Sequence, residues 1–413
     1  MCLNMSTELL PHLFRTEYRK IVSVLGKRFG FEQIEIAEDI VSDTFLTAVS
    51  TWGLKGSIPA NPTAWLYNVA KNKAINYLEH NHVFDHKIAP DLKSESKENT
   101  ERDIDLSPQN INDSQLQMMF AVCHPSIPVE SQIGLSLRIL CGFGIDEIAD
   151  AFLADKDTIN KRLFRAKQKL REENVKISLP GAIELDDRLQ AVLRTIYLFF
   201  NEGYYSVSQN ATLRKDVCFE AIRLCYMLVE NKSTNKPDAN ALLSLMCYHA
   251  SRFDARLNDK GEQVLYEEQD TTRWDTDLIN RGTYFLNLSA TGNKLSKYHV
   301  EAAIGYWHTN KDDTPKKWES ILSLYNELLM IEYSPVVALN RTYALSKVHG
   351  KEVAIAEAKK LELTDNHFYF ALLGELYSGL DNTESRKYFE AAIEIAKTAS
   401  DKNTIRRKID RLK

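Results

Sequence analysis

Ala37-Glu38-Asp39-Ile40-Val41-Ser42-Asp43-Thr44-Phe45-Leu46, followed after a loop by Pro62-Thr63-Ala64-Trp65-Leu66-Tyr67-Asn68-Val69-Ala70-Lys71-Asn72-Lys73-Ala74-Ile75-Asn76-Tyr77-Leu78, decides how this chain is read. Both segments repeat their apolar residues at three and four, the period of a helix with one buried face. The first exposes acid: Asp39 and Asp43 share a face at i, i+4, with Glu38 beside them. Like charges at that spacing weaken an isolated helix slightly, and either solvent or a basic partner offsets the penalty. The second carries Asn68, Lys71, Asn72 and Asn76 on one stripe, and Leu66, Val69, Ala70 and Tyr77 on another. Amides and amines beside Trp65 and Tyr67 suit phosphates and unpaired bases. Both rings serve equally well as core residues, and Trp65 is read as core. One small domain with an acidic face and a nucleic-acid face is an adaptor, not an enzyme.

Outward from this stretch the chain is helical throughout. Glu8 to Phe29 carries Leu9, Leu13, Phe14, Tyr18, Ile21, Val22 and Leu25 at helical spacing, and Gly30 stops it. Trp52 to Asn61 forms a loop, with Asn61 as N-cap and Pro62 as first helical residue of the next helix. Residues 1–81 thus form a first domain. Residues 82–112, rich in Asp, Glu and Lys, read as a charged linker. Such a linker lets its flanks sit tens of ångströms apart, at about 5–6 Å times the square root of its length. Residues 113–178 hold four helices, and Leu179-Pro180-Gly181 marks a boundary.

With 413 residues, two or three domains are expected. Net charge is only −5, so opposite local charges matter more than the total. No run of about 18 apolar residues suggests a membrane span, and Met1 to Leu10 lacks a signal-peptide pattern. The six cysteines form no C-x-x-C pair and no zinc spacing, so neither a metal nor another cofactor is expected. Cys141, Cys218, Cys225 and Cys247 sit among apolar residues as buried thiols, which fits a reducing cytoplasm.

The group at 113–178 ends in a helix-turn-helix. Ile145 to Phe152 and Lys156 to Arg171 are separated by Leu153-Ala154-Asp155, with Ala149 at the small-residue position. Ile148, Ile159 and Leu163 fill the wedge, and Asp155 caps the last helix. That helix carries Lys156, Lys161, Arg162, Arg165, Lys167, Lys169 and Arg171. A basic helix after a tight turn fits the major groove; a solvated face on an ordinary hairpin gives the same composition. Thr158, Asn160, Lys161 and Arg165 are the best placed for base edges.

Residues 184–413 continue as amphipathic helices. Phe370, Leu373, Gly374, Tyr377, Ser385, Phe389 and Ala392 follow tetratricopeptide spacing with a turn one residue shorter. One unit is too few for a regular array, so an irregular helical-hairpin array is expected. Asn201-Glu202-Gly203-Tyr204, with Tyr205 and Ser206, invites an enzymatic reading, as does the set His249, Asp254, Asp270, Trp274 and His299. No nucleophile–base spacing stands out. A helix ended by Gly203, with aromatics packed between hairpins, accounts for the first motif.

As a whole, the ordered set of motifs resembles an RNA polymerase sigma factor of the extracytoplasmic-function type. Glu38 to Leu46 resembles the polymerase-binding helix of sigma region 2, and Trp65 to Asn76 its promoter −10 helix. Gly144 to Leu170 resembles the −35-binding region 4. His12-Leu13-Phe14-Arg15, Cys123-His124-Pro125, Ala149-Asp150-Ala151-Phe152-Leu153, Phe200-Asn201-Glu202-Gly203-Tyr204, Gln269-Asp270 with Trp274-Asp275, and Ser334-Pro335-Val336-Val337-Ala338-Leu339-Asn340-Arg341 extend the likeness to the subgroup with a long C-terminal helical extension. The resemblance implies that Glu38, Asp39, Asp43, Phe45 and Leu46 grip the basic-rimmed clamp helices of the polymerase largest subunit, with the flap as a further polymerase contact. It implies that Asn68, Lys71, Asn72, Lys73 and Asn76 approach the −10 element, and the loop Trp52 to Asn61 a flipped non-template base. Thr158, Asn160, Lys161, Arg162, Arg165 and Lys167 would read the −35 element. Lys73, Asn76, Glu79 and His80 stand where relatives carry Arg, Asp and a terminal basic pair, a departure that bears on the −10 sequence rather than the role.

The expectation is therefore an all-α, non-enzymatic cytoplasmic factor that directs core polymerase to promoter DNA. Its residues 184–413, with the Asn201–Tyr204 motif, would contact the sigma regions or the polymerase and set activity. The alternative is a stand-alone helix-turn-helix regulator with a helical interaction domain.

Overall fold

The computed structural model describes residues 2–53, 58–88, 104–152, 154–205, 214–256, 258, 264–292 and 294–412. Among these the chain is helical and contains no strand, as the periodicity requires. It divides into two compact units, residues 1–198 and 199–413.

In the first unit, α1 (Cys2–Phe29) starts earlier than its apolar stripe predicts, carries Pro11 and stops at Gly30. α2 (Ile34–Ala48) runs into a π-helical turn, Val49–Gly53. α3 (Pro62–Ile88) opens where the sequence places it, with the Asn61 side chain accepting the Ala64 N–H at 3.0 Å. Tyr18, Ile21, Val22 and Leu25 of α1, Ile34, Ala37 and Val41 of α2, and Leu66, Ala70 and Ala74 of α3 are all fully buried. Each large apolar side chain so buried stabilises by about 1.5–3 kcal/mol.

α4 (Pro108–Val122) begins inside the segment read as linker, capped by Ser107, whose hydroxyl accepts the Asn110 N–H at 3.4 Å. α5 (Val129–Leu135), α6 (Ile145–Ala151) and α7 (Lys156–Glu172) follow, the last two matching the expected helix-turn-helix within a residue or so. The residues expected to stand apart from α1 instead pack on it. A Cβ at Gly26 would lie 2.7 Å from Met118 Cε of α4 and 2.6 Å from Ile34 Cδ1. Glycine there lets α1 and α4 approach closely, so both helical groups share one core. Positions 89–103 of the expected linker, 54–57 of the expected base-contacting loop, and Leu153 lie outside the described residues.

The boundary between units falls within α8 (Leu185–Tyr205). The second unit continues through α9 (Lys215–Glu230), α10 (Pro237–Ala250), α11 (Thr276–Ser289), α12 (Lys297–Trp307), α13 (Pro315–Ile331), α14 (Pro335–His349), α15 (Lys351–Lys359), α16 (His367–Tyr377), α17 (Asn382–Ile395) and α18 (Ala399–Asp410). Asp275, Thr314, Asn366, Asp381 and Thr398 cap α11, α13, α16, α17 and α18 with their side chains. Each such cap is worth about 0.5–2 kcal/mol. Consecutive helices pack on one another, and Ser385 Oγ of α17 donates to the Gly374 carbonyl of α16 at 2.7 Å. Cys123, Cys141, Cys218, Cys225 and Cys247 are buried free thiols, and burial pushes Cys218 and Cys247 up to about 12.

Candidate functional site

α2 sorts its residues onto two faces. Asp39, Asp43 and Leu46 point outward, with Leu46 65% exposed; Val49, half exposed, extends the same stripe and was not singled out from sequence. Phe45 is turned in, edge-on to Phe14 at 5.0 Å. Glu38 is turned in as well, paired with Lys167 and with Arg138 Nε at 3.3 Å. Of the five residues grouped on this helix, three therefore face outward, Asp43 among them with Lys73 as its ion-pair partner.

α3 lies beside that stripe. Asn68, Asn72 and Asn76 are exposed, whereas Lys73 reaches back to Asp43 and donates to Thr47 Oγ1 at 3.1 Å. Lys71 is half-buried. Trp65, read as core, sits half-buried against the buried Trp52 at 5.0 Å. Tyr67 donates its hydroxyl to Glu17 Oε2 at 2.6 Å, and burial together with that carboxylate pushes the phenol far above its usual range. The outward chemistry of α3 is thus a row of amides rather than a row of rings.

On α7, Ile159, Leu163, Ala166 and Leu170 are buried and Asn160, Lys161 and Arg165 are exposed. Asp155 accepts the Thr158 N–H at 2.7 Å and the Thr158 hydroxyl at 2.7 Å, and these two bonds hold its carboxyl below the usual value. Thr158 is exposed, but its hydroxyl hydrogen is committed to the cap. Arg162 lies over the Phe152 ring at 5.4 Å. Lys167 does not face outward: its ammonium is buried against Glu38.

Three further ties join α7 and its neighbours to α1 and α2. Arg171 Nε donates to the Phe31 carbonyl at 2.7 Å, and its guanidinium pairs with Glu35. Arg138 also lies over the Tyr18 ring at 5.6 Å, and Arg15 pairs with Glu147 at 2.9 Å. None of Glu35, Arg138, Arg171 or Arg15 was assigned this role from sequence.

In the second unit Gly203 does not end a helix. α8 continues through it to Tyr205, and a Cβ at 203 would lie 2.8 Å from Cys218 Sγ and 3.0 Å from the Arg214 carbonyl. The glycine permits a close approach between α8 and the start of α9, not a cap. Asn201 is half-buried, Glu202 exposed, and buried Tyr204 shares a hydrogen bond with His249 Nδ1 at 3.0 Å. Ser206 and the Tyr205 side chain lie outside the described residues. Asp254 pairs with Lys215, Asp270 caps Thr272 at 2.9 Å, and His299 bonds Ser296 at 2.8 Å. Local structure occupies these three. No helix among the described residues is long and apolar enough to cross a membrane.

Residues 13–82 match Sigma-70 region 2, and residues 188–290 match a family of unknown function (DUF6596). An uncharacterized protein of Rhizobium meliloti (strain 1021) is 31% identical over 390 residues, which cover 92% of this chain and 91% of that protein. The ECF RNA polymerase sigma-E factor of Haemophilus influenzae (strain ATCC 51907 / DSM 11121 / KW20 / Rd) is 28% identical over 139 residues, covering 32% of this chain and 70% of that factor. No solved structure matches the chain.

Proposed function

This chain belongs to the RNA polymerase sigma-70 family, in its extracytoplasmic-function group, and on that premise we propose that it binds core polymerase, reads a two-part promoter and traps melted bases. The observation that carries the reading is the outward acidic stripe Asp39, Asp43 and Leu46 beside the exposed amides Asn68, Asn72 and Asn76, both inside the region 2 match. The stripe offers carboxylates rimming an apolar contact, the complement of a basic-edged helical partner. The amides offer donors and acceptors to unstacked bases, whose extrusion costs a few kcal/mol and must be offset by such contacts. Asn160, Lys161 and Arg165, the outward residues of α7, serve the −35 element, with Thr158 and Arg162 at its edge. Nucleotide chemistry stays with the polymerase.

The packing in the first unit then describes the free factor. α3 and α7 both lie against α2 or its flanks, so the two readers sit within about two helix diameters, roughly 20 Å. Promoter elements about two helical turns apart lie about 70 Å from each other. Residues 1–81 and 113–178 must therefore separate on assembly, and segment 82–112 must span the gap. Polymerase supplies the free energy by binding only the separated form. The C-terminal helical half, residues 184–413, sets the activity of the sigma regions.

Transcription reconstituted with core polymerase, with transcript 5′ ends sequenced, tests the reading: starts at a shared two-part motif are expected. Purified factor that binds that duplex tightly without polymerase, and starts no transcript with it, would instead make the chain a stand-alone regulator. Deletion of residues 184–413 should change promoter-specific output, and unchanged output in every condition would sink the regulatory role.

A further inference from the structure

Two guanidinium groups in the second unit have no ion-pair partner among the described residues. Arg252 and Arg256 flank the short turn Phe253–Ala255, half-buried, and neither makes an ion pair among the described residues. Arg256 Cζ lies 3.9 Å from the Tyr204 ring centroid, and Arg252 Cζ 5.5 Å from that of Tyr266. Among the described residues, the nearby carboxylates have other hydrogen-bond or ion-pair partners. Asp254 pairs with Lys215, Asp270 caps Thr272, Glu267 accepts the Tyr343 hydroxyl at 3.0 Å, and Asp313 accepts from Trp318 and Lys347. A third cation, Lys317, is 3% exposed and lies 5.5 Å from the Tyr266 centroid.

Around the same rings stand buried polar atoms with no partner: Arg256 Nη1, His308 Nδ1, Trp274 Nε1 and Gln269 Oε1. Trp274 and His308 lie 6.2 and 5.2 Å from the Tyr266 ring, which places them in the shell that holds Arg252 and Lys317. Burial first, then Arg252, Arg256 and His308, hold His249 well below its usual range. Burial first, then Arg252 and Lys317, hold His308 down to about 3. Both imidazoles are thus neutral, chiefly through burial, with the neighbouring cations adding to it.

Charge taken out of water without a counter-ion costs several kcal/mol, and a cation–π contact returns about 0.5–2 kcal/mol of that. Packing alone therefore leaves Arg252 and Arg256 under-compensated, with donors beside them unused. A guanidinium matches the planar or tetrahedral oxygens of carboxylate and phosphate, which accept two N–H bonds side by side. We propose that the second unit binds a small oxyanion-bearing molecule, a carboxylate or a phosphate, through Arg252 and Arg256, with the Trp274 indole N–H and His308 Nδ1 completing its shell. Arg252, Arg256 and Trp274 lie in the segment that matches the family of unknown function, so the site gives that segment a chemical role as the receiver of a signal.

The test uses the full chain and does not depend on transcription. Inorganic phosphate, citrate and chloride are titrated calorimetrically at matched ionic strength, while the Trp274 indole N–H is followed by NMR and assigned with W274F. Saturable binding of phosphate or citrate but not chloride is expected, with the Trp274 signal shifting along the same isotherm. Preference for phosphate identifies a phosphoryl ligand and preference for citrate a carboxylate. Arg252→Gln and Arg256→Gln should each weaken binding at least tenfold. Wild-type protein that binds neither oxyanion saturably overturns the proposal, as does binding that leaves the Trp274 signal still. The NMR readout on wild-type protein decides the matter even if an arginine variant fails to fold.

Discussion

If the proposed function holds, replacing Arg171 by Ala should loosen α7 from the α1–α2 region and thereby strengthen polymerase binding. Arg171 makes two contacts to the α1–α2 region: the 2.7 Å hydrogen bond from Nε to the Phe31 carbonyl, and the ion pair with Glu35. A hydrogen bond from a charged donor contributes about 1.5–3 kcal/mol. Glu35 is 44% exposed, so the ion pair adds no more than about 0–1 kcal/mol. The closed form should lose about 2–3 kcal/mol in all, or about 30–150-fold in the closed-to-open ratio at about 1.4 kcal/mol per tenfold. While closed factor predominates, apparent affinity for core polymerase rises by the same factor, because only open factor binds. Arg171 suits the test because Glu38 and Lys167, the other members of the contact, were themselves assigned to polymerase and DNA. Lys169→Ala is the control: it removes the same charge from the same turn, but its partner is Glu173, the residue that caps the end of α7, at 2.7 Å. The assay pairs polymerase titration by anisotropy with a distance measurement between labels at exposed Glu79 and Asp157. If Arg171→Ala behaves like Lys169→Ala in both readouts, or lengthens the distance while weakening polymerase binding, the reasoning is wrong.

Asp39→Arg, at an exposed position, should leave the unfolding free energy unchanged to within about 0.5 kcal/mol. It should weaken holoenzyme assembly in a salt-dependent way, and equal assembly at low salt would remove α2 from the interface. Acid should destabilise the second unit through His249 and His308. Both are held neutral in the fold, and His308 falls to about 3 because of burial, then Arg252 and Lys317. Protonation therefore favours the unfolded chain. The stabilisation is complete above the unfolded value of about 6.5 and is lost as pH falls from there toward 3, at about 1.4 kcal/mol per unit per histidine. Calorimetric melts between pH 7.5 and 4.5 should show the loss, and His308→Gln should flatten it; a flat profile for the parent chain would count against neutral imidazoles. Gly203→Ala gains about 1 kcal/mol of helix propensity but forces a methyl to 2.8 Å from Cys218 Sγ, an overpacking cost of typically 1–3 kcal/mol. Chemical denaturation should show net destabilisation relieved in part by Cys218→Ala, and a stabilised single variant would refute the close-approach account.

The sequence disclosed those parts of this protein that local chemistry specifies. Asn61 before Pro62 and Asp155 before Lys156 open α3 and α7 because a cap acts within its own first turn. Gly203 was misread as a terminator because its cause is remote: the residue that needs the space is Cys218, on another helix. The charged contact between α2 and α7 lies between these cases. Glu38 falls on the stripe of Ile34, Val41 and Phe45, and Lys167 on that of Leu163 and Leu170, all of them buried. The acidic and basic labels drew both outward, whereas the period had already turned them in. A charge on an otherwise apolar stripe demands an opposite charge, since an unpaired one is too costly to bury. Sequence does not say which one: the partners of Glu38 lie 100 and 129 residues along the chain. What it offers is a matched pair of anomalies, one inward acid in the first helical group and one inward base in the other. Two such anomalies of opposite sign predict each other, and here their meeting accounts for why Glu38 and Lys167 are turned inward while Asp39 and Arg165, each close by on the opposite face, are exposed.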